Sequence, residues 1–140
     1  MKNKLNLSSK LYVSKSPIHG YGVFTSGDLK KSDIIEEAYY LIPEKEKWED
    51  LDPKFMLYFF GIPFLQSHHK DFADKNGGVN TMHISRPVCV LGFGMIYNHK
   101  QKPNVAHSLN ETLQIVRYTA SQNIAAGSEL TISYNPYTKF

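Results

Sequence analysis

At 140 residues, with 41% hydrophobic and 21% charged residues of both signs, the chain has the size and composition of one folded domain and falls outside the disordered and fibrous classes. Its one cysteine, Cys89, excludes a disulfide framework and a cysteine zinc cluster within the chain. A net charge of +3 without a long basic block argues against nucleic-acid binding and leaves an anionic small molecule or a basic protein tail open as partner.

Taken in chain order, residues 1–10 are polar and expected to fray. They carry lysines without the apolar stretch of a signal peptide. No later run approaches the ~20 apolar residues of a membrane span, so no membrane association and an intracellular location are expected. Residues 11–13 read as a strand, followed by a loop punctuated by Pro17, Gly20 and Gly22, and by β-type residues at 23–25. Polar turns at 26–28 and 30–33 precede a strand over 34–42 that stops at Pro43. Residues 44–52 are charged and read as a solvated helix or loop face. The aromatic run 54–65 fits a short buried helix and a strand pair equally. Residues 67–78 are polar and end in the turn signal Asn76, Gly77, Gly78.

The run 88–97 is apolar and broken by Gly92 and Gly94, which suggests close approach of another backbone or a ligand. Residues 112–119 partly alternate, with Leu113 and Ile115 on one face. A turn at 124–128 leads into the last strand, 130–134. Many short strands with frequent turns make this a mostly-β chain.

Most single features have an ordinary explanation. Gly20 and Gly22 are compatible with a tight turn or with backbone that approaches a ligand, and no Rossmann fingerprint follows them. The six histidines lack the spacing of a helical pair or a zinc finger, so no metal is expected, and His68 and His69 read as loop residues. Cys89, flanked by Val88 and Val90, reads as a small buried hydrophobe rather than a nucleophile. Asn98 and His99 suit a strand end whose side chains satisfy turn backbone. The nine tyrosines read mostly as packing residues with a wet hydroxyl, and periodicity does not single out Tyr134.

Three segments read together carry more: Ser16-Pro-Ile-His-Gly-Tyr-Gly-Val-Phe24, Leu91-Gly-Phe-Gly-Met-Ile-Tyr-Asn-His99 with Pro103-Asn104, and Gly127-Ser-Glu-Leu-Thr-Ile-Ser-Tyr134. In this order they resemble the SET domain of protein-lysine methyltransferases, over about residues 11–137, and most of all the minimal members found in large DNA viruses and bacteria. The resemblance implies a β-clip-like fold of small curved sheets with a C-terminal pseudoknot. It places a SET domain over residues 11–140, with an insert at about 43–80. It also implies S-adenosylmethionine as methyl donor and S-adenosylhomocysteine as product.

By the same resemblance His19, Gly20, Tyr21, Asn98 and His99 contact the cofactor and Tyr134 is the catalytic tyrosine. Tyr58, Tyr97 and Tyr137 would bind the substrate lysine. The expected substrate is a histone H3 tail, which would place the protein in a nucleus or host nucleus. A non-histone substrate in the cytoplasm and an inactive binding module are the alternatives. Three departures stand out: Lys100 after Asn98-His99, Ser128 in place of a glutamate, and Asn135-Pro136 between Tyr134 and Tyr137. A zinc-bound C-terminal flap cannot form with one cysteine. Closure is therefore expected from residues 137–140, the insert or a second subunit, with a homodimer favoured. A basic tail would call for a local acidic groove, expected over residues 44–52.

Overall fold

The computed structural model describes residues 4–44, 49, 51–56, 60–63, 85–134 and 138–139. In chain order the elements are β1 (Leu11–Lys15), β2 (Tyr21–Thr25), β3 (Ile34–Leu41), α1 (Pro53–Met56), β4 (Phe60–Pro63), β5 (Ser85–Val90), β6 (Asn98–His99), β7 (Val105–Asn110), β8 (Ile115–Ala120), β9 (Glu129–Ile132) and β10 (Thr138–Lys139). The mostly-β architecture matches the expectation. Two compact units are present, one of Met1–Tyr40 with Val90–Phe140 and one of Leu41–Cys89.

In the larger unit one sheet has the order β1-β2-β9-β6. β1 and β2 form an antiparallel hairpin from Leu11↔Thr25 to Lys15↔Tyr21. β9 pairs antiparallel with β2 and parallel with β6, with Asn98 opposite Thr131. A late strand is thus held between an early strand and a mid-chain one. The other sheet of this unit runs β10-β7-β8-β3. β10 joins it parallel to β7, so the C-terminal segment contributes to both sheets. Residues 4–10 lie along β3: the Ser8 N–H donates to the Ile35 carbonyl at 2.9 Å and the Glu37 N–H to the Asn6 carbonyl at 2.7 Å.

The core follows strand alternation. Val23 and Thr25 on β2, Leu130 and Ile132 on β9, and Val116, Tyr118 and Ala120 on β8 are buried. Full burial of each larger apolar side chain stabilises the fold by about 1.5–3 kcal/mol. β8 begins at Ile115, so the inward face is that of Val116 and not the face of Leu113 and Ile115. Leu113 lies in the β7–β8 turn and is exposed. That turn is closed by the Leu113 N–H on Asn110 Oδ1 at 2.9 Å and by Gln114 at φ 52°. β3 carries a bulge between Ile34 and Glu36, and both Ile35 and Glu36 are buried in consequence.

In the smaller unit, α1 is capped by Asp52, whose Oδ1 accepts the Lys54 N–H at 2.8 Å. β4 and β5 pair antiparallel, Phe60 opposite Val88. The 54–65 run therefore holds the end of a helical turn and a strand. His68, His69 and the 76–78 turn lie outside the described residues.

Candidate functional site

Two glycines with different tasks shape the passage from β1 into β2, Gly20 in the loop and Gly22 on β2. Gly20 sits at φ 47°, a left-handed conformation that costs glycine little, and its carbonyl accepts the Ser16 N–H at 2.8 Å. Gly22 leaves room for side chains: a Cβ there would lie 2.0 Å from Glu129 Oε1 and 3.0 Å from Asn98 Nδ2. The turn reading holds at the first glycine; at the second the missing Cβ makes room for the chain's own Glu129 and Asn98 side chains and not for a ligand.

Asn98 is the hub of that approach. Its buried amide nitrogen donates to the carbonyls of His19 (3.0 Å) and Tyr21 (3.2 Å) and to Glu129 Oε1 (2.8 Å). Ser16 Oγ donates to Glu129 Oε2 at 2.8 Å and accepts the Ile18 N–H at 2.9 Å. The loop is thus pinned to β6 and β9 by a satisfied polar network. Asn104 pins β9 from the other side, its Oδ1 accepting the Thr131 N–H at 2.8 Å and its Nδ2 donating to the Glu129 carbonyl at 2.9 Å. Its side chain thus supplies hydrogen-bond partners to backbone groups of β9.

The Tyr134 N–H donates to His99 Nδ1 at 3.0 Å, and the two rings lie 5.0 Å apart. An accepting Nδ1 places the proton of the neutral imidazole on Nε2. The Tyr134 hydroxyl donates to the Tyr97 carbonyl at 2.9 Å. Partial burial raises the pKa of this half-exposed hydroxyl, so it stays protonated at neutral pH. Just before it, the Ser133 carbonyl lies 2.7 Å from His107 Nε2, and burial lowers the His107 pKa.

Of the residues expected at the site, His19, Gly20, Tyr21, Asn98, His99 and Tyr134 come together at the ends of β2, β6 and β9. Tyr97 is present only through its carbonyl. Its ring is fully buried against Tyr118, 4.7 Å between centroids, so in this structure it does not stand as an exposed substrate wall. Tyr58 and Tyr137 lie outside the described residues. Two titratable groups that pack around these residues are not marked by the motifs. His107 is one, marked only by its place on β7. Glu36 is the other, a buried carboxylate whose one sequence signal is Gly92, where a Cβ would lie 2.3 Å from Glu36 Oε2. The expectation of another backbone or a ligand close to the glycines of 88–97 is corrected in the same way: the groups that approach are the side chains of Glu36 at Gly92, and of Val90 and Tyr118 at Gly94.

Burial raises the pKa of the Cys89 thiol, which disfavours a thiolate there. No three His, Cys, Asp or Glu among the described residues are grouped to hold a metal ion. What the site offers is exposed rings (His19, Tyr21, His99, Tyr134) among fixed main-chain carbonyls. Such a surface suits a planar ligand bearing positive charge, which aromatic faces and carbonyl oxygens both favour.

The SET domain profile matches residues 20–135 of the chain. A protein of Plasmodium falciparum, named a candidate histone methyltransferase in its crystal structure, shares the fold with a TM-score of 0.59 and 24% identity, over 89% of this chain and 96% of that one. No curated protein matches the sequence. The likeness to viral and bacterial members rests on the motifs.

Proposed function

The chain belongs to the SET domain family, and on that footing we propose that it is a protein-lysine N-methyltransferase using S-adenosylmethionine. The observation that carries this reading is the double anchoring of Tyr134, by its N–H to His99 and by its hydroxyl to the Tyr97 carbonyl. When bound, S-adenosylmethionine supplies an electrophilic methyl group on a sulfonium, and alignment and desolvation are left to the protein.

The chain's own groups fit that division. The exposed rings of Tyr21 and His99 would take the cofactor's flat and cationic parts, and the His19–Gly20 backbone its polar edge. The Asn98 amide hydrogens are committed to the loop carbonyls and Glu129, so Asn98 acts by shaping this backbone. The Tyr134 proton is committed to Tyr97, which leaves the phenolic oxygen as an acceptor. A lysine amine donating N–H to that oxygen would have its lone pair directed elsewhere, toward the methyl group. The Tyr97 carbonyl and Tyr134 oxygen would also accept weak C–H···O contacts. A free lysine, with a pKa of about 10.4, must first lose a proton. An aromatic, desolvated channel beside a sulfonium favours that loss, so no carboxylate base is required.

Tyr58 and Tyr137 are assigned as further channel walls on family resemblance. A histone H3 tail is the proposed substrate and a homodimer the proposed assembly; the Plasmodium falciparum relative is named a candidate histone methyltransferase, which supports a histone in general. The test is incubation with methyl-labelled S-adenosylmethionine and core histones, and separately with a cell lysate, followed by mass spectrometry of the labelled protein. Label on a lysine of histone H3 is expected. Label on a different protein's lysine would correct the substrate, and cofactor binding without transfer to either would overturn the enzyme reading.

A further inference from the structure

We propose that Glu36 is a positioning residue for Tyr134, acting through Tyr97. This rests on the reading that Tyr134 contacts the substrate amine, and it assigns a role to a buried acid that methyl transfer itself does not need.

The bulge in β3 turns Glu36 into the core, where it is 2% exposed. Burying a carboxyl group is costly unless its oxygens are satisfied. Both oxygens are: Oε1 accepts the Tyr97 hydroxyl at 3.1 Å and Oε2 the Phe93 N–H at 2.9 Å. Gly92, at φ 66°, is the residue that lets the carboxyl reach this turn, since a side chain there would collide with Oε2. The acid therefore fastens residues 92–93 and the far end of Tyr97 at once. The Tyr97 ring is fixed laterally by Tyr118. With ring and hydroxyl held, the Tyr97 backbone is held too, and its carbonyl is the acceptor that orients the Tyr134 hydroxyl. A chain of direct contacts thus runs from Glu36 to the exposed phenol.

Burial raises the pKa of Glu36 against the two hydrogen bonds that lower it. Near neutral pH the Tyr97 hydroxyl remains the donor, because burial and Glu36 keep its pKa well above the ordinary tyrosine value.

The test uses the full chain labelled with 13C at tyrosine Cζ, with Tyr97→Phe and Tyr134→Phe assigning the two resonances. In Glu36→Ala and in Tyr97→Phe, the Tyr134 resonance is expected to move and its ionisation to fall toward the exposed-tyrosine value of about 10. Glu36→Gln keeps one acceptor and offers an amide donor to the Tyr97 oxygen, so it should stay closer to the parent. A Tyr134 signal unmoved in folded Tyr97→Phe, which deletes a single oxygen, would overturn the proposal, even if Glu36→Ala failed to fold.

Kinetics with core histones supply the second arm. Glu36→Ala should lower kcat by about tenfold while the KM for S-adenosylmethionine changes by less than about twofold. It should add no further loss in a Tyr134→Phe background, and fully additive losses would contradict action through Tyr134. Should Tyr134→Phe itself retain full transfer, the methyltransferase role of Tyr134 falls, and the spectra still decide whether Glu36 and Tyr134 are coupled.

Discussion

Tyr134 is fastened to His99 through its own backbone, N–H to Nδ1 at 3.0 Å, so one side chain of the mid-chain motif sets where the last motif leaves β9. The acceptor is a ring nitrogen of an exposed residue, and alanine removes it without opening the core. His99→Ala should therefore leave global stability within about 0.5 kcal/mol. It should cost about tenfold in transfer rate through misplacement of Tyr134. Denaturant unfolding and initial rates on the same preparation check the two halves.

Gly22→Ala places a Cβ on Glu129 Oε1, an atom held by Asn98 and restrained by Ser16 on the same carboxylate. A loss of about 1–3 kcal/mol is expected, the range for overpacking or a broken buried hydrogen bond. If the collision with Glu129 is the cause, Gly22→Ala should cost less in a Glu129→Ala background than in the parent. Equal costs in both backgrounds, read by urea unfolding, would place the strain elsewhere.

The Asn104 side chain supplies hydrogen-bond partners to backbone groups of β9. Asn104→Ala leaves the Glu129 carbonyl and Thr131 N–H without those partners. It should lower the unfolding free energy by about 1–3 kcal/mol, with Asn104→Asp intermediate because it keeps the acceptor. Amide hydrogen exchange at Thr131 reports the effect directly, as faster exchange.

His107 carries a pH dependence whose sign is fixed by burial. Its folded pKa lies below the unfolded value of 6.5, so its contribution is present above pH 6.5 and is lost as pH falls through the folded pKa. Acidifying from pH 7.5 to 5.5 should therefore destabilise the parent more than His107→Gln. Glu37, whose pKa is lowered although burial opposes it, by bonds from Asn6 and Arg117, is common to both proteins and cancels. A stability difference that stays constant with pH would contradict the assignment.

The motifs were legible because glycine, asparagine and tyrosine at those spacings perform backbone tasks that few residues can replace. Gly20 takes a positive φ, Gly22 yields space to Glu129, and Asn98 and Asn104 supply hydrogen-bond partners to backbone groups. What alternation alone could not give was the phase of β8, because the strand begins after a turn that leaves Leu113 in solvent. Glu36 was hidden for a similar reason. A carboxylate in a strand reads as solvent-facing, and only the bulge at Ile34–Glu36 turns it inward. The family resemblance assigns Tyr97 to the substrate, whereas its ring lies in the core against Tyr118 and its carbonyl accepts the Tyr134 hydroxyl.

The proposed role of Tyr134, orienting a lysine amine for methyl transfer, depends on its hydroxyl, which Tyr134→Phe removes. S-adenosylmethionine affinity by calorimetry and labelled-methyl transfer to core histones are measured on parent and variant together. The variant should bind S-adenosylmethionine within about twofold of the parent and transfer methyl at least about tenfold more slowly. Undiminished transfer in the variant would contradict that role.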